Sequence, residues 1–358
     1  MRILCVVGAR PNFMKMAPVV AALAEAGSRP LLVHTGQHYD QAMSQVFFDQ
    51  LGMPTPDIHL EVGSDTHARQ TARIMTAFEP VLLEQRPDWV VVAGDVNSTV
   101  GTGLVAAKLE IPVAHVEAGL RSFDRAMPEE INRVLTDHLS DLLFTTEESG
   151  NRNLRHEGIA EERIAFVGNC MVDTLRTHVE AAVAQEPWKE LELSPGGYAL
   201  MTLHRPSNVD DPEVLRSLMD TAARIAEELP VVFPLHPRTR QRLDDLGLDL
   251  PTGLRLEPPL PYLSFLGLMA RARCVLTDSG GIQEETTALS VPCLTLRWNT
   301  ERPSTVDAGT NRLVGTEKNK ILGAFDDILA GRWQQGEIPP LWDGQAGERI
   351  ARRLLNEG

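Results

Sequence analysis

The chain has 358 residues, 43% of them hydrophobic, and a formal net charge of −15. That length suits about two domains with ample apolar cores, and the acidic balance argues against a nucleic-acid partner, which demands a basic surface. An anionic small molecule remains compatible with it, because a few local cations can serve one site in an acidic protein.

Residues 2–8 form an apolar run too short for a signal peptide and read as a first strand, with a helix expected over 14–26. Further strands are expected over 30–34, 89–93, 113–116, 142–144 and 164–167. A second series follows at 198–202, 231–235, 254–256, 274–276 and 292–296. Short apolar strands separated by amphipathic helices imply parallel sheets covered on both faces. So many strands exceed one comfortable open sheet, so the expected fold is α/β, with two Rossmann-like, doubly wound parallel-sheet domains facing a central cleft. The boundary is expected near 168–173. That gives an N-terminal domain 1–170, a C-terminal domain 171–340, and a terminal helix in 341–358 that packs back on the first domain. No apolar run reaches the roughly 18 residues of a membrane helix, and a soluble cytoplasmic protein is expected. Cys5, Cys170, Cys274 and Cys293 form no C-x-x-C pair and read as buried free thiols.

Chemistry-bearing residues cluster just after the expected strands, where ligands of open α/β sheets bind. Thr277-Asp278-Ser279-Gly280-Gly281-Ile282-Gln283-Glu284-Glu285 joins a strand to a helix. Its small residues allow backbone N–H groups to approach a phosphate at a helix N-terminus, and Ser279 adds a hydroxyl. Glu285, one turn in, is placed to accept from a ribose hydroxyl. The plainer alternative is a tight turn with Ser279 as N-cap. Arg10 and Lys15 follow the first strand as cations, and no G-x-G-x-x-G accompanies them, so a nicotinamide cofactor is not implied. Asp95, Glu117 and Glu129 each sit at a strand mouth of the first half. Read sharply they are an acid–base cluster; read plainly they are a helix cap, an ion-pair partner and a dipole-favoured first-turn residue. In the second half His204, Arg205, His236, Arg238 and Arg302 bring positive charge to the loop's rim. The spacing offers neither a zinc site nor a G-x-S-x-G nucleophile.

Taken together, Gly8-x-Arg10-Pro11, Gly36-Gln37-His38, Gly94-Asp95, His115-Val116-Glu117-Ala118-Gly119-Leu120-Arg121 and Pro128-Glu129-Glu130-x-Asn132-Arg133 resemble, in order, the non-hydrolysing UDP-N-acetylglucosamine 2-epimerases. Gly168-Asn169, His204-Arg205, the 278–285 loop and Thr300-Glu301-Arg302-Pro303 extend the match to about residue 315. The resemblance implies a glycosyltransferase-B-like homodimer that interconverts UDP-GlcNAc and UDP-ManNAc without a cofactor. By it, Arg10, His204 and Ser279, Gly280 and Gly281 hold the diphosphate, Glu285 the ribose, and Phe265 packs near the uracil. Lys15 and Arg302 line the same site, and Asp95, Glu117 and Glu129 match the catalytic carboxylates, with His204 beside them. Three stretches depart from the family pattern: Gly36-Gln37-His38-Tyr39-Asp40, His204-Arg205-Pro206-Ser207 and Gly94-Asp95-Val96-Asn97-Ser98-Thr99. They suggest a subgroup and put substrate activation in question. A hydrolysing relative, a glycosyltransferase on the same scaffold and a 2-epimerase of a modified UDP-2-acetamido sugar are the alternatives.

Overall fold

A computed structural model describes residues 1–37, 48, 50–235, 237–247, 251 and 253–357, apart from the side chains of Arg10, Pro237 and Arg238. The chain divides into two compact units, Met1–Thr177 with Pro340–Gly358, and His178–Pro339.

The first unit holds a seven-stranded parallel sheet in the order β3-β2-β1-β4-β5-β6-β7. Its strands are β1 (Ile3–Val7), β2 (Leu31–His34), β3 (Ile58–His59), β4 (Trp89–Ala93), β5 (Val113–Ala118), β6 (Leu142–Thr145) and β7 (Ile164–Phe166). The second holds a six-stranded parallel sheet in the order β10-β9-β8-β11-β12-β13. These are β8 (Ala199–Thr202), β9 (Val231–Pro234), β10 (Leu254–Glu257), β11 (Cys274–Thr277), β12 (Cys293–Thr295) and β13 (Asn311–Leu313). Every residue of β1, β4 and β11 is buried, as the continuous apolar runs require when helices cover both faces.

Both sheets are doubly wound, and each has one place where the winding reverses. In the first unit it falls between β1 and β4, in the second between β8 and β11. Ligands of such sheets bind outside the carboxyl ends of the strands at this reversal. β3 and β13 lie at sheet edges, and their Ile-His and Asn-Arg-Leu sequences carry no apolar run, so pattern alone misses them. The first helix spans Arg10–Glu25, earlier than its apolar spacing suggests, because Pro11 suits the first helical turn.

The core of the first unit packs Leu4, Val6, Val33, Phe78, Val90, Val92 and Val113 together. In the second, Leu215, Leu218, Met219, Ala222 and Ile225 form the buried stripe of the helix Pro212–Ala226. Its N-cap Asp211 accepts from the backbone N–H of Glu213 at 2.9 Å. The chain returns to the first unit at its end. Trp342 is fully buried and donates its indole N–H to the Thr146 carbonyl at 2.8 Å. Gly347 opens the helix Ala346–Asn356 and donates its N–H to Asp173 at 2.8 Å. All four cysteines are free and buried, and burial pushes Cys5, Cys274 and Cys293 up to about 12. Among the described residues no helix is long and apolar enough to cross a membrane.

Candidate active site

In the first unit the reversal point is bounded by the exits of β1 and β4. Gly8 leaves β1 with no room for a Cβ, which would meet the Ser98 side chain and come within 2.6 Å of Thr35 Oγ1. Asn12 then bridges the two exits. Its Oδ1 accepts from Ala9 N–H at 3.1 Å, and its Nδ2 donates to the Ala93 carbonyl at 2.7 Å. The Arg10 side chain, His38, His236 and the Arg238 side chain lie outside the described residues.

Lys15 reaches from the first helix to Glu117 on β5, and the two form a buried ion pair. Glu117 has φ of +72° at a shift of register between β5 and β6. A left-handed non-glycine residue costs about 1–3 kcal/mol and concentrates at functional sites; here the bulge turns the carboxylate out of the strand. Gly94, with φ of +68°, lies so close that a Cβ there would be 2.8 Å from Lys15 Nζ and 3.3 Å from Glu117 Oε2.

Asp95 does not cap the following helix, whose N-cap is Val96. Its carboxylate pairs with Arg133, and its carbonyl accepts from Asn132 Nδ2 at 2.9 Å. Arg133 also binds Glu130 at 2.6 Å, and Glu130 is in turn held by the Ser122 and Phe123 N–H groups at 3.0 and 2.9 Å. Glu130 is therefore a structural carboxylate. Its neighbour Glu129, in the first turn of the helix Pro128–Leu139, is half-buried and has no ion pair or hydrogen bond among the described residues. At i and i+4, Glu129 and Arg133 share a helix face, which is the face that holds Asp95.

Beneath these exits lies a cluster that motif reading passed over. His115 is fully buried on β5. Its Nδ1 lies 2.6 Å from Asp137 Oδ1 and its Nε2 lies 2.8 Å from the Gly94 carbonyl. Asp137 Oδ2 accepts from Gly119 N–H at 3.0 Å and from Arg121 at 2.6 Å. Burial works against the Asp137 charge, but His115 and Arg121 hold its carboxyl below the usual range. Arg121 also makes a bidentate pair with Glu157 at 2.8 and 2.7 Å.

In the second unit Ser279 occupies the N-cap of the helix Gly280–Ala288 without a side-chain capping bond. Its own N–H donates to Thr277 Oγ1 at 3.0 Å. Gly280 packs against the Arg302 guanidinium, and a Cβ there would also lie 2.7 Å from Glu301 Oε1. Gly281 follows in the first turn. Arg302 is buried, with Nε 3.0 Å from Glu284 and Nη1 2.5 Å from Glu301. Arg297 binds the other Glu301 oxygen at 2.7 Å. Burial opposes the Glu301 charge, yet Arg302, Arg297 and Arg205 hold its carboxyl well below the usual range. Arg205 is committed inward, with Nε donating to the Asp278 carbonyl at 3.0 Å and Nη2 lying 3.4 Å from Glu301.

His204 is half exposed, with Nδ1 2.9 Å from Asp278 Oδ1. Asp278 is fully buried and also accepts from the N–H of Arg205 at 3.0 Å and Asn208 Nδ2 at 3.2 Å. Asp278 thus holds the imidazole through one nitrogen. Tyr262 O–H lies 3.4 Å from Glu285, whose carboxylate is buried, and Phe265 is half-buried on the same helix, Tyr262–Ala270. Among the described residues no group of three His, Cys, Asp or Glu is arranged to hold a metal ion.

Two doubly wound parallel-sheet units, each with its polar residues at the winding reversal, define the glycosyltransferase-B-like class of fold. The family model described as UDP-N-acetylglucosamine 2-epimerase matches residues 21–355. The chain belongs to that family and is an enzyme of the isomerase class. It is 43% identical to the UDP-N-acetylglucosamine 2-epimerase of Methanocaldococcus jannaschii over 99% of each chain. It is 41% identical, again over 99% of each, to the UDP-2,3-diacetamido-2,3-dideoxy-D-glucuronate 2-epimerase of Pseudomonas aeruginosa. The crystal structure of the M. jannaschii enzyme in complex with UDP-GlcNAc and UDP superposes with a TM-score of 0.91 at 42% identity, covering 100% of both chains.

Proposed function

We propose that the protein interconverts UDP-GlcNAc and UDP-ManNAc by eliminating UDP and adding it back, without net hydrolysis. The observation that carries this reading is the pair of carboxylates, Asp95 and Glu117, at the neighbouring ends of β4 and β5 beside the first unit's winding reversal, with Glu117 in a left-handed bulge beside Lys15.

The C2–H of a 2-acetamido sugar is not acidic, and no carbanion-stabilising cofactor is part of this reading. Cleavage of the anomeric C1–O bond sends the electron pair onto the β-phosphate and leaves an oxocarbenium-like C1. The C2 proton then becomes removable, and its loss gives a 2-acetamidoglucal plus UDP. Re-addition of UDP at C1, with protonation of C2 from the opposite face, gives the epimer. Arg10, His204 and the N–H groups of Ser279, Gly280 and Gly281 stabilise the departing diphosphate. Glu285 accepts from the ribose, Phe265 lies along the uracil, and Arg302 braces the loop. Asp95, Glu117 and Glu129 supply the proton transfers, which must reach both faces of C2. The reading includes a homodimer, as in the family it resembles, and a cytoplasmic location.

The test is incubation with UDP-GlcNAc in deuterated water, followed by NMR. Deuterium at C2 in both UDP-sugars, with no free ManNAc, is expected. Accumulation of free ManNAc and UDP would make the enzyme a hydrolysing one, and no exchange without an acceptor would favour a glycosyltransferase. A second substrate reading, a modified UDP-2-acetamido sugar, is supported by the 41% identity to the diacetamidoglucuronate enzyme and by the departures at 36–40 and 204–207. The same experiment on a panel of UDP-sugars ranks the two.

A further inference from the structure

We infer that His115 is a doubly protonated imidazolium that positions the two strand exits bearing Asp95 and Glu117. Both ring nitrogens of this fully buried side chain face acceptors, Asp137 Oδ1 at 2.6 Å and the Gly94 carbonyl at 2.8 Å. A neutral imidazole carries one N–H and would leave one nitrogen lone pair against an oxygen lone pair; the imidazolium donates to both.

The groups facing His115 and its partner are Asp137, Arg121 and, beyond Arg121, Glu157, which is 23% exposed and lies 3.9 Å from His138. With His115 charged, two cations meet two anions.

The imidazolium and Asp137 bridge two separate turns. One end grips the Gly94 carbonyl, whose peptide continues into Asp95. At the other end Asp137 Oδ2 accepts from Gly119 N–H, two residues past Glu117. Gly94 and Glu117 both have positive φ, so neither turn is set by ordinary strand geometry. His115 is therefore a positioning residue acting through Gly94 and Asp137. Its effect on turnover rests on the epimerisation proposed above; its protonation state does not.

The protonation state is read by ¹⁵N NMR of histidine-labelled wild-type protein, with His115 assigned by its loss in His115→Gln. Two protonated ring nitrogens are expected, and a bare nitrogen overturns the assignment. In Asp137→Asn the ring loses its counter-ion and should revert to one bare nitrogen. The same variant should lower kcat for C2 deuterium exchange ~10²-fold, the usual cost of a misplaced catalytic group. KM should stay within about two-fold, because UDP recognition is untouched. Near-native kcat in Asp137→Asn would remove the positioning role. If the wild type exchanges no C2 proton on any UDP-2-acetamido sugar, the proposed reaction and the positioning role fall together, while the NMR still decides the imidazolium.

Discussion

Lys15 and Glu117, separated by 102 positions in sequence, are paired in the interior of the first unit with side chains 7% and 5% exposed. The pair joins the first helix to the bulge that ends β5. Removing one partner of a buried pair leaves an uncompensated charge and costs about 3–5 kcal/mol. Glu117→Gln should therefore lose both stability and turnover, the latter by roughly 10²–10⁴-fold. The double variant Lys15→Met/Glu117→Gln separates the two effects. Denaturant melts should show most of the stability restored, while the rate of C2 deuterium exchange stays low.

Gly280 meets the Arg302–Glu301 pair at a distance no side chain tolerates. In Gly280→Ala the pair must shift, and the helix N-terminus beside it moves too. UDP affinity measured by calorimetry should fall by about ten-fold, or ~1.4 kcal/mol, if this turn holds the diphosphate. Unchanged UDP affinity would remove the loop from the binding site.

His34 gives stability a pH dependence. Its ring packs among Phe13 at 5.5 Å, Phe48 at 5.9 Å and His59 at 5.6 Å. Burial, aided by the His59 charge, lowers its pKa from 6.5 to about 4. The unfolded chain therefore takes up this proton first as pH falls. Stability is fully present above 6.5 and is lost down to about 4, by up to about 3 kcal/mol from this one group. Asp278 and Glu301, held below the carboxylate range, add losses in the same direction at lower pH. Urea midpoints between pH 7 and 4 should show the slope, and His34→Leu should flatten it. An equal slope in the variant would assign the effect elsewhere.

Gly168 has φ of +93°, and a Cβ there would collide with the Leu341 carbonyl. Gly168→Ala combines backbone strain with a steric clash and should cost at least ~2 kcal/mol. A melting point about 4–8 °C lower is expected for a unit of this size. Trp342→Ala should do more, about 3–5 kcal/mol, by emptying a fully enclosed site.

The two doubly wound sheets were legible because β1, β4, β8 and β11 are continuous apolar runs with turn residues behind them. The edge strands β3 and β13 were not, since Ile58-His59 and Asn311-Arg312-Leu313 carry no run to detect. Strand mouths could be located from sequence, and with them Asp95, Glu117, His204 and Ser279. The partners could not. Lys15 finds Glu117, and His115 reaches Gly94, only because the exits of β1, β4 and β5 are neighbours in the sheet. One-dimensional spacing does not carry that order. Arg205 shows the converse: next to His204 it reads as a phosphate donor, yet the fold turns it toward Glu301 and the Asp278 carbonyl.

Trp342 and the helix Ala346–Asn356 belong to the unit whose other residues are synthesised first. The second unit, His178–Pro339, is a single uninterrupted stretch of chain. The floor under Pro18 and Thr146 comes from beyond residue 339, so the first unit closes only after the whole of the second has been made.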